Sequence, residues 1–349
     1  MNLLYGVQGT GNGHISRARV MAKSLAKQNI NVDFLFSGRD ESQYFDMQCF
    51  GDYQTRKGMT FVSDKGRISY LKTGKHNLLS PIRTEVNQLD LSEYDLVLND
   101  YEPVSAWAAK RQGVKSIAIS HQAALKYPVP KRSSSWFNDL LINHFAPVDV
   151  SLGCHWHHFG YPILPPFVDV DHLGVGDSNK VLVYLPFESA DEIVAFLRTV
   201  DSVEFIVYHK QKPSLPLPEH IQWNGFDRDG FKRHMAQCSG VIGNAGFELA
   251  SEAMALGKKL LVKPLLGQFE QYANVAALEL LAAAESMASL DLTVLKRWLK
   301  KPSPAPIDYP QVGDTLVNWI LAGDWHDTRS LCDDLWNQVE LPDNWRKKQ

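Results

Sequence analysis

The chain predicts an α/β protein made of two Rossmann-like domains that face each other across a cleft. Three observations carry this expectation. Short apolar runs alternate with helical patterns along the first half, the order that a parallel sheet with crossover helices requires. A proline-dense stretch, Gly160-Tyr161-Pro162-Ile163-Leu164-Pro165-Pro166-Phe167, then interrupts the pattern, because proline neither continues a helix nor pairs inside a central strand. After it the alternation restarts, and 349 residues are more than one hydrophobic core usually holds.

Taken in order, Asn2–Val7 is expected as a strand, Ile15–Gln28 as a helix, Asn31–Ser37 as a strand, and Asp95–Leu98 and Ser116–Ile119 as later strands. Between them, Tyr53–Leu79 contains the turns Lys57-Gly58, Lys65-Gly66 and Gly74-Lys75, which predict hairpins or loops projecting from the sheet. Beyond the prolines, strands are expected at Lys180–Leu185, Val203–Tyr208, Gly240–Gly243 and Lys259–Val262. Helices are expected at Ala190–Val200, Phe231–Cys238 and Phe247–Leu256, with terminal helices at Asp314–Leu321 and Thr328–Val339. The domains so drawn are residues 1–163 and 170–322, with a tail over 323–349.

Composition narrows the function classes. With 44% hydrophobic and 21% charged residues the chain is an ordinary globular one. A net charge of −3 argues against a nucleic-acid partner, which calls for a basic excess. Cys49, Cys154, Cys238 and Cys332 are scattered without a C-x-x-C pair, as expected for reduced thiols in a cytoplasmic protein. No signal peptide is expected, and no apolar run approaches the roughly 18 residues that span a bilayer, so any membrane contact would be peripheral. The segment Lys126–Phe145, an amphipathic pattern behind a basic loop, suits either an anionic membrane surface or packing against the neighbouring domain. Cys154, His155, His157 and His158 are metal-ligand types, but adjacent spacing sends them to opposite faces and no distant partner pair is evident, so no metal is expected.

The chemistry concentrates in two motifs. In Val241-Ile242-Gly243-Asn244-Ala245-Gly246-Phe247-Glu248-Leu249-Ala250-Ser251-Glu252, a buried strand ends in a small-residue turn and a helix begins. A helix N-terminus offers unpaired N–H groups and partial positive charge to a diphosphate, and Glu252, further along the helix, can accept hydrogen bonds from ribose hydroxyls. The alternative is that these glycines only ease strand-to-helix packing. The second motif, Gly9-Thr10-Gly11-Asn12-Gly13-His14, also joins a strand to a helix. A dinucleotide site would share that context but should close its second strand on an acid, whereas here the acid comes late, in Phe36-Ser37-Gly38-Arg39-Asp40. His14 at the helix start is expected to stay neutral, since a helix N-terminus disfavours imidazolium.

Together these residues resemble a family. The spacing Asn-x-Gly-x-x-x-x-x-Glu from Asn244 to Glu252, then Pro264-Leu265, then Glu270-Gln271-Tyr272-Ala273-Asn274, is similar to the donor-binding segment of GT-B glycosyltransferases, notably the MurG-like and UDP-glycosyltransferase groups. The Gly9–His14 loop resembles the N-terminal loop of MurG-like enzymes. The resemblance implies an acceptor domain over 1–163, a donor domain over 170–322, and a terminal helix returning onto the first domain. It implies a UDP-sugar as donor substrate, no cofactor, and an inverting, metal-independent transfer of N-acetylglucosamine or a related hexose to a glycan or lipid-linked acceptor. Metal independence is expected also because no D-x-D element stands in a suitable loop.

By the same resemblance His14 is the base, or else a residue that merely caps the helix. Asp100 and Glu102, after the strand Leu96–Asn99, are placed to orient it or the acceptor, as is His121-Gln122. Gly11, Gly13, Asn244, Gly246 and Phe247 would approach the diphosphate, Glu252 the ribose, and Glu270 with Gln271 the transferred sugar. Phe226 would face the base, and Ser189 serve as helix cap or phosphate donor where the glycines of the family loop are missing from Tyr184-Leu185-Pro186-Phe187-Glu188-Ser189. Glu248 stands near where related enzymes often carry a small polar residue, so its carboxylate is expected to face solvent or the acceptor instead of the diphosphate. Two other functions remain open: a nucleotide-sugar epimerase of the same fold, and a sugar-nucleotide-binding protein without catalysis.

Overall fold

The computed structural model describes residues 1–59, 63–64, 67–68, 81–132, 142–170 and 179–346. The first half runs β1 (Asn2–Gln8), α1 (Asn12–Leu25), β2 (Asn31–Ser37), β3 (Gln54–Arg56), a hairpin of β4 (Ser63–Asp64) and β5 (Arg67–Ile68), α2 (Ile82–Gln88), β6 (Leu96–Asp100), α3 (Pro103–Gln112), β7 (Ser116–Ser120), α4 (His121–Ala124), β8 (Val150–Cys154) and β9 (Ile163–Leu164). Seven of these strands form one parallel sheet in the order β3-β2-β1-β6-β7-β8-β9. The second half runs β10 (Lys180–Tyr184), α5 (Ala190–Leu197), β11 (Glu204–Tyr208), β12 (Ile221–Asn224), α6 (Arg228–Gln237), β13 (Gly240–Asn244), α7 (Phe247–Ala255), β14 (Lys259–Lys263), α8 (Phe269–Leu280), β15 (Ala284–Ser286) and α9 (Leu292–Leu299). Its sheet is also parallel, in the order β12-β11-β10-β13-β14-β15.

Both central strands are apolar without alternation because helices cover both faces of their sheets. Leu3, Leu4, Tyr5 and Val7 of β1 are all buried, as are Val241 and Ile242 of β13. Gly243 is small for a packing reason, since a Cβ there would meet the Leu249 methyl at 2.5 Å. Several boundaries differ from expectation. α1 begins at Asn12, capped by extended Gly11, so His14 lies inside the first helical turn. Ile163–Leu164, within the proline-dense stretch, pairs with β8 as the edge strand of the first sheet. α6 starts at Arg228 because Asp227 caps it through Gly230 N, 3.1 Å. Most of the expected Tyr53–Leu79 loops and the centre of Lys126–Phe145, residues 133–141, lie outside the described residues.

The two sheets share one apolar core. Leu98, Cys154 and Trp156 of the first half cluster with Phe247, Ala250 and Met254 of α7. Phe247 stacks on His121 with ring centroids 4.1 Å apart and planes 8° from parallel, and on Trp156 at 5.0 Å. The indole of Trp156 donates to Ser251 Oγ at 2.9 Å. The chain then returns: α10 (Val312–Ala322) lies along α1 with Lys27 Nζ 2.7 Å from Asp314 Oδ2, and Gly313 fits where a Cβ would meet Ser24 Oγ at 2.6 Å. α11 (Thr328–Trp336) places the Trp336 indole 2.6 Å from the Ile163 carbonyl. Among the described residues no helix is long and apolar enough to cross a membrane.

Candidate active site between the two sheets

A cavity of about 370 Å³ opens at the carboxyl ends of the strands, between the sheets. The first half contributes the Gly11–His14 turn, Gln122, Tyr101 and Phe145, and the second contributes Tyr184, Phe226, Asn244, Gly246 to Leu249, Glu252, Glu270 and Gln271. Arg39 fixes the first turn by donating to the Gly9 carbonyl and, at 3.2 Å, to Asn12 Oδ1. Asn12 in turn reaches Tyr184 of the second domain at 3.4 Å.

His14 is the ionisable centre of this wall. Its Nδ1 stands 2.8 Å from Asp100 Oδ1 at the end of β6. A carboxylate only accepts, so that contact fixes the proton on Nδ1 and leaves Nε2 with a lone pair toward the cavity. Gln122 Nε2 lies 3.5 Å from Nε2 of His14 and donates to Glu270 Oε2 at 2.8 Å, tying the imidazole to the second domain. Arg17, one turn along α1, closes the arrangement with Nε 2.7 Å from Asp100 Oδ2 and Nη2 2.9 Å from Oδ1. Its Nη1 donates to Glu248 of α7. Neighbouring charges act on His14 beside the helix terminus. Burial alone would lower its pKa, but Asp100 more than offsets that, with Arg17 opposing and Glu248 adding, and the imidazole rises above its ordinary value. Burial would raise Asp100, yet Arg17 and His14 hold it below the usual carboxylate value.

Opposite stands the α7 side. Gly246 caps α7 in extended backbone without a side-chain acceptor, so the first amides of the helix have no cap of their own. Asn244 donates to the Lys263 carbonyl at 3.0 Å, while its buried Oδ1 has no partner and lies in the cavity wall. Burial lifts the half-buried carboxyl of Glu252 to about 7, with Lys232 opposing and Glu248 and Asp169 adding. Glu270 faces the cavity, whereas Gln271 spends its Oε1 on Leu265 N at 2.7 Å and so shapes the turn after β14. Phe226, 46% exposed, stacks parallel to Phe45 of the first domain at 5.8 Å.

Two assignments made from the sequence change, and two residues of the cavity wall have a packing reason as well. Glu102 is wholly buried: it caps α3 through Val104 N and Ser105 N at 2.8 and 2.6 Å and accepts from Ser37 Oγ, and it does not line the cavity. Ser189 caps α5 in a reciprocal capping box with Glu192, away from the cavity, which leaves the cap and not the phosphate donor. Phe247 lines the cavity, and its ring is buried against the first domain. Gly13 is small because a Cβ would meet Glu248 Oε2 at 2.5 Å, while Gly11 has open space around it and remains available to a ligand. D-x-D triplets do occur, at 169–171 and 227–229. Asp169 is held by Lys23, Lys232 and Arg228, and Asp227 caps α6. His155, His157 and His158 each accept a backbone amide at Nδ1, and burial pushes His157 down to about 4.

Sequence reasoning missed Arg17, Tyr101 and Arg39. Arg17 was findable, being three residues after His14 and therefore on the same helical face. Tyr101, at φ 55° directly after Asp100, sits in a left-handed conformation that is costly for a bulky residue and that clusters at functional sites. Its ring stacks on Phe145 at 4.8 Å.

Two facing parallel sheets with a cavity at their carboxyl ends define the GT-B glycosyltransferase fold. Solved structures agree over nearly the whole length. The glycotransferase of kitacinnamycin has a TM-score of 0.61 at 12% identity, covering 97% of this chain and 99% of that one. The Arabidopsis thaliana UGT89C1 complexed with quercetin scores 0.62 at 15% identity, covering 96% and 98%. The calicheamicin glycosyltransferase CalG4 scores 0.54 at 10% identity, covering 96% and 94%. A comparison with curated proteins found no match. The sequence model of glycosyl transferase family 1 matches residues 1–302, and the chain belongs to that family. It is a glycosyltransferase.

Proposed function

We propose that the protein transfers a hexose, with N-acetylglucosamine the first to be tried, from a UDP-sugar to a hydroxyl of a glycan or lipid-linked acceptor, with inversion and without a metal ion. The observation that carries this reading is His14, its Nδ1 proton committed to Asp100 and its Nε2 turned to the cavity beside Gln122 and Glu270. In an inverting displacement the acceptor oxygen attacks the anomeric carbon as the diphosphate leaves, and Nε2 removes the hydroxyl proton. Asp100 steadies the imidazolium that results. The free amides at the start of α7 would take the negative charge of the leaving diphosphate, and Glu252 the ribose hydroxyls. UGT89C1 has been solved with UDP and with UDP-L-rhamnose, which supports a uridine diphosphate donor for this chain.

A thermal-shift screen of nucleoside diphosphates and their sugars identifies the donor, since a selective ligand raises apparent stability by mass action. With that donor, His14→Ala is expected to lower turnover by about 10²–10⁴-fold while donor affinity stays within a few-fold of wild type. Turnover should persist in a chelator. Undiminished transfer by the alanine variant would remove the base, and product formed from the donor alone would favour the epimerase.

A further inference from the structure

We propose that Arg17 is a positioning residue of the transfer site, one that aims Asp100 at His14 and, through Glu248, makes that aim depend on contact between the two domains. The inference rests on the reading of His14 as base. Arg17 is buried to 1% exposure on α1, one turn after His14, and lines no part of the cavity. Its guanidinium grips both oxygens of Asp100, Nε to Oδ2 at 2.7 Å and Nη2 to Oδ1 at 2.9 Å. That two-point hold fixes the rotation of a carboxylate that is itself wholly buried, and it leaves Oδ1 directed at His14 Nδ1, 2.8 Å away. A single carboxylate oxygen thus accepts from both the guanidinium and the imidazole.

The remaining nitrogen faces the other way. Nη1 donates to Glu248 Oε1 on α7, and approaches Cys154 Sγ at 3.6 Å. Glu248 can stand there because residue 13 is glycine: its other oxygen occupies the space where a Cβ would stand. Four side chains, His14, Asp100, Arg17 and Glu248, therefore form one chain of contacts that begins at the cavity and crosses from the first sheet to the second. The chain gives the Glu248 carboxylate a partner on the opposite domain. A carboxylate beside the expected diphosphate would repel it, unless its charge is already spent, and Arg17 spends it.

The electrostatics have a definite sign. Acting on the His14 imidazole are Asp100 from β6, Arg17 from α1, Glu248 from α7 and the neutral amide of Gln122 from α4 with Glu270 of α8 behind it, while the Cys154 thiol of β8, beside Arg17, is lifted by burial to about 12 and so stays neutral. The guanidinium disfavours a second cation beside it, and Glu248 favours one. Separation of the domains would remove Glu248 and leave the guanidinium with Asp100 as its one anionic partner among the described residues, making His14 a weaker base. Contact restores it.

The test is nuclear magnetic resonance titration of the His14 ring, assigned by the signal lost in His14→Gln, on the full chain without ligand. Glu248→Gln should move the titration to lower pH and Arg17→Met to higher pH, each by about half a unit to one unit. Arg17→Lys, which keeps the charge but not the fork, should leave the midpoint near wild type yet lower kcat at unchanged donor affinity. Arg17→Met exposes a buried carboxylate to an apolar neighbour; should it fail to fold, the Glu248→Gln shift alone decides. No shift in that variant, or a shift upward, overturns the proposal. The base reading is judged separately: shifts of the expected sign with an active His14→Ala enzyme would refute the base and leave the coupling in place, while an inactive His14→Ala enzyme without shifts would refute the coupling alone.

Discussion

Burial raises the Glu252 carboxyl to about 7, so this one side chain is pulled in opposite directions by folding and by binding. Its folded pKa lies above the ordinary value for a glutamate, which means that folding favours the protonated form. The stabilising contribution is present below the unfolded value, 4.5, and is lost as pH rises through about 7. Above that, an ionised carboxylate is held in a poorly solvated wall. Glu252→Gln removes the ionisation, so the ligand-free variant should be more stable than wild type at pH 8 by on the order of 1–3 kcal/mol, the gap closing toward pH 5. The same substitution weakens an acceptor for ribose hydroxyls, so nucleotide affinity should fall. Melting temperatures at the two pH values, with a nucleotide titration alongside, check both; an equal effect at pH 5 and pH 8 would show that ionisation is not the cause. Wild-type binding should release protons near neutrality, because hydroxyl donors favour the charged carboxylate.

At the scale of elements, α7 shows what the sequence could and could not disclose. The strand-turn-helix of β13 and α7, with Gly246 at the cap, was legible from small residues at the end of an apolar run. The direction of Phe247 was not. An aromatic side chain just inside a helix looks the same whether it meets a nucleotide or a neighbouring domain, and the partners that settle it, His121 and Trp156, are remote in the chain. Glu102 and Ser189 were ambiguous in the same way, since an oxygen that caps a helix and one that binds substrate use the same lone pairs. His14 and Asp100 come together because one follows, and the other closes, two adjacent strands of one parallel sheet, a placement that topology dictates. Phe247→Ala should therefore act as a core truncation, costing about 3–5 kcal/mol. Nucleotide affinity should fall with it, because the start of α7 loses its seat against the first domain. Phe247→Leu should be far milder. Calorimetry and binding on both variants check the order, and an alanine variant as stable as wild type would mean that the ring carries no interdomain packing.

For the whole molecule, the continuity of the apolar core decides how the two sheets unfold. Domains joined only by a linker melt independently, each with its own enthalpy. Here Phe247 and Ala250 of the second half share a cluster with Leu98 and Trp156 of the first, and α10 lies along α1 with Gly313 against Ser24. The chain thus crosses between the halves by packing as well as by sequence. Scanning calorimetry of the wild type should show a single transition with matching calorimetric and van't Hoff enthalpies. Gly313→Leu forces a side chain into the α1–α10 contact and should lower stability by about 1–3 kcal/mol. Because α10 comes from the C-terminal part of the chain but braces the helix that bears His14 and Arg17, the same wedge should also disturb the cavity wall facing the donor motif. A saturating nucleotide at 100 times its dissociation constant adds about 2.7 kcal/mol to the wild type, and the wedged variant should gain less at the same concentration. Two separate endotherms in the wild type, only one of them shifted by nucleotide, would show the halves to be energetically independent despite the packing between them.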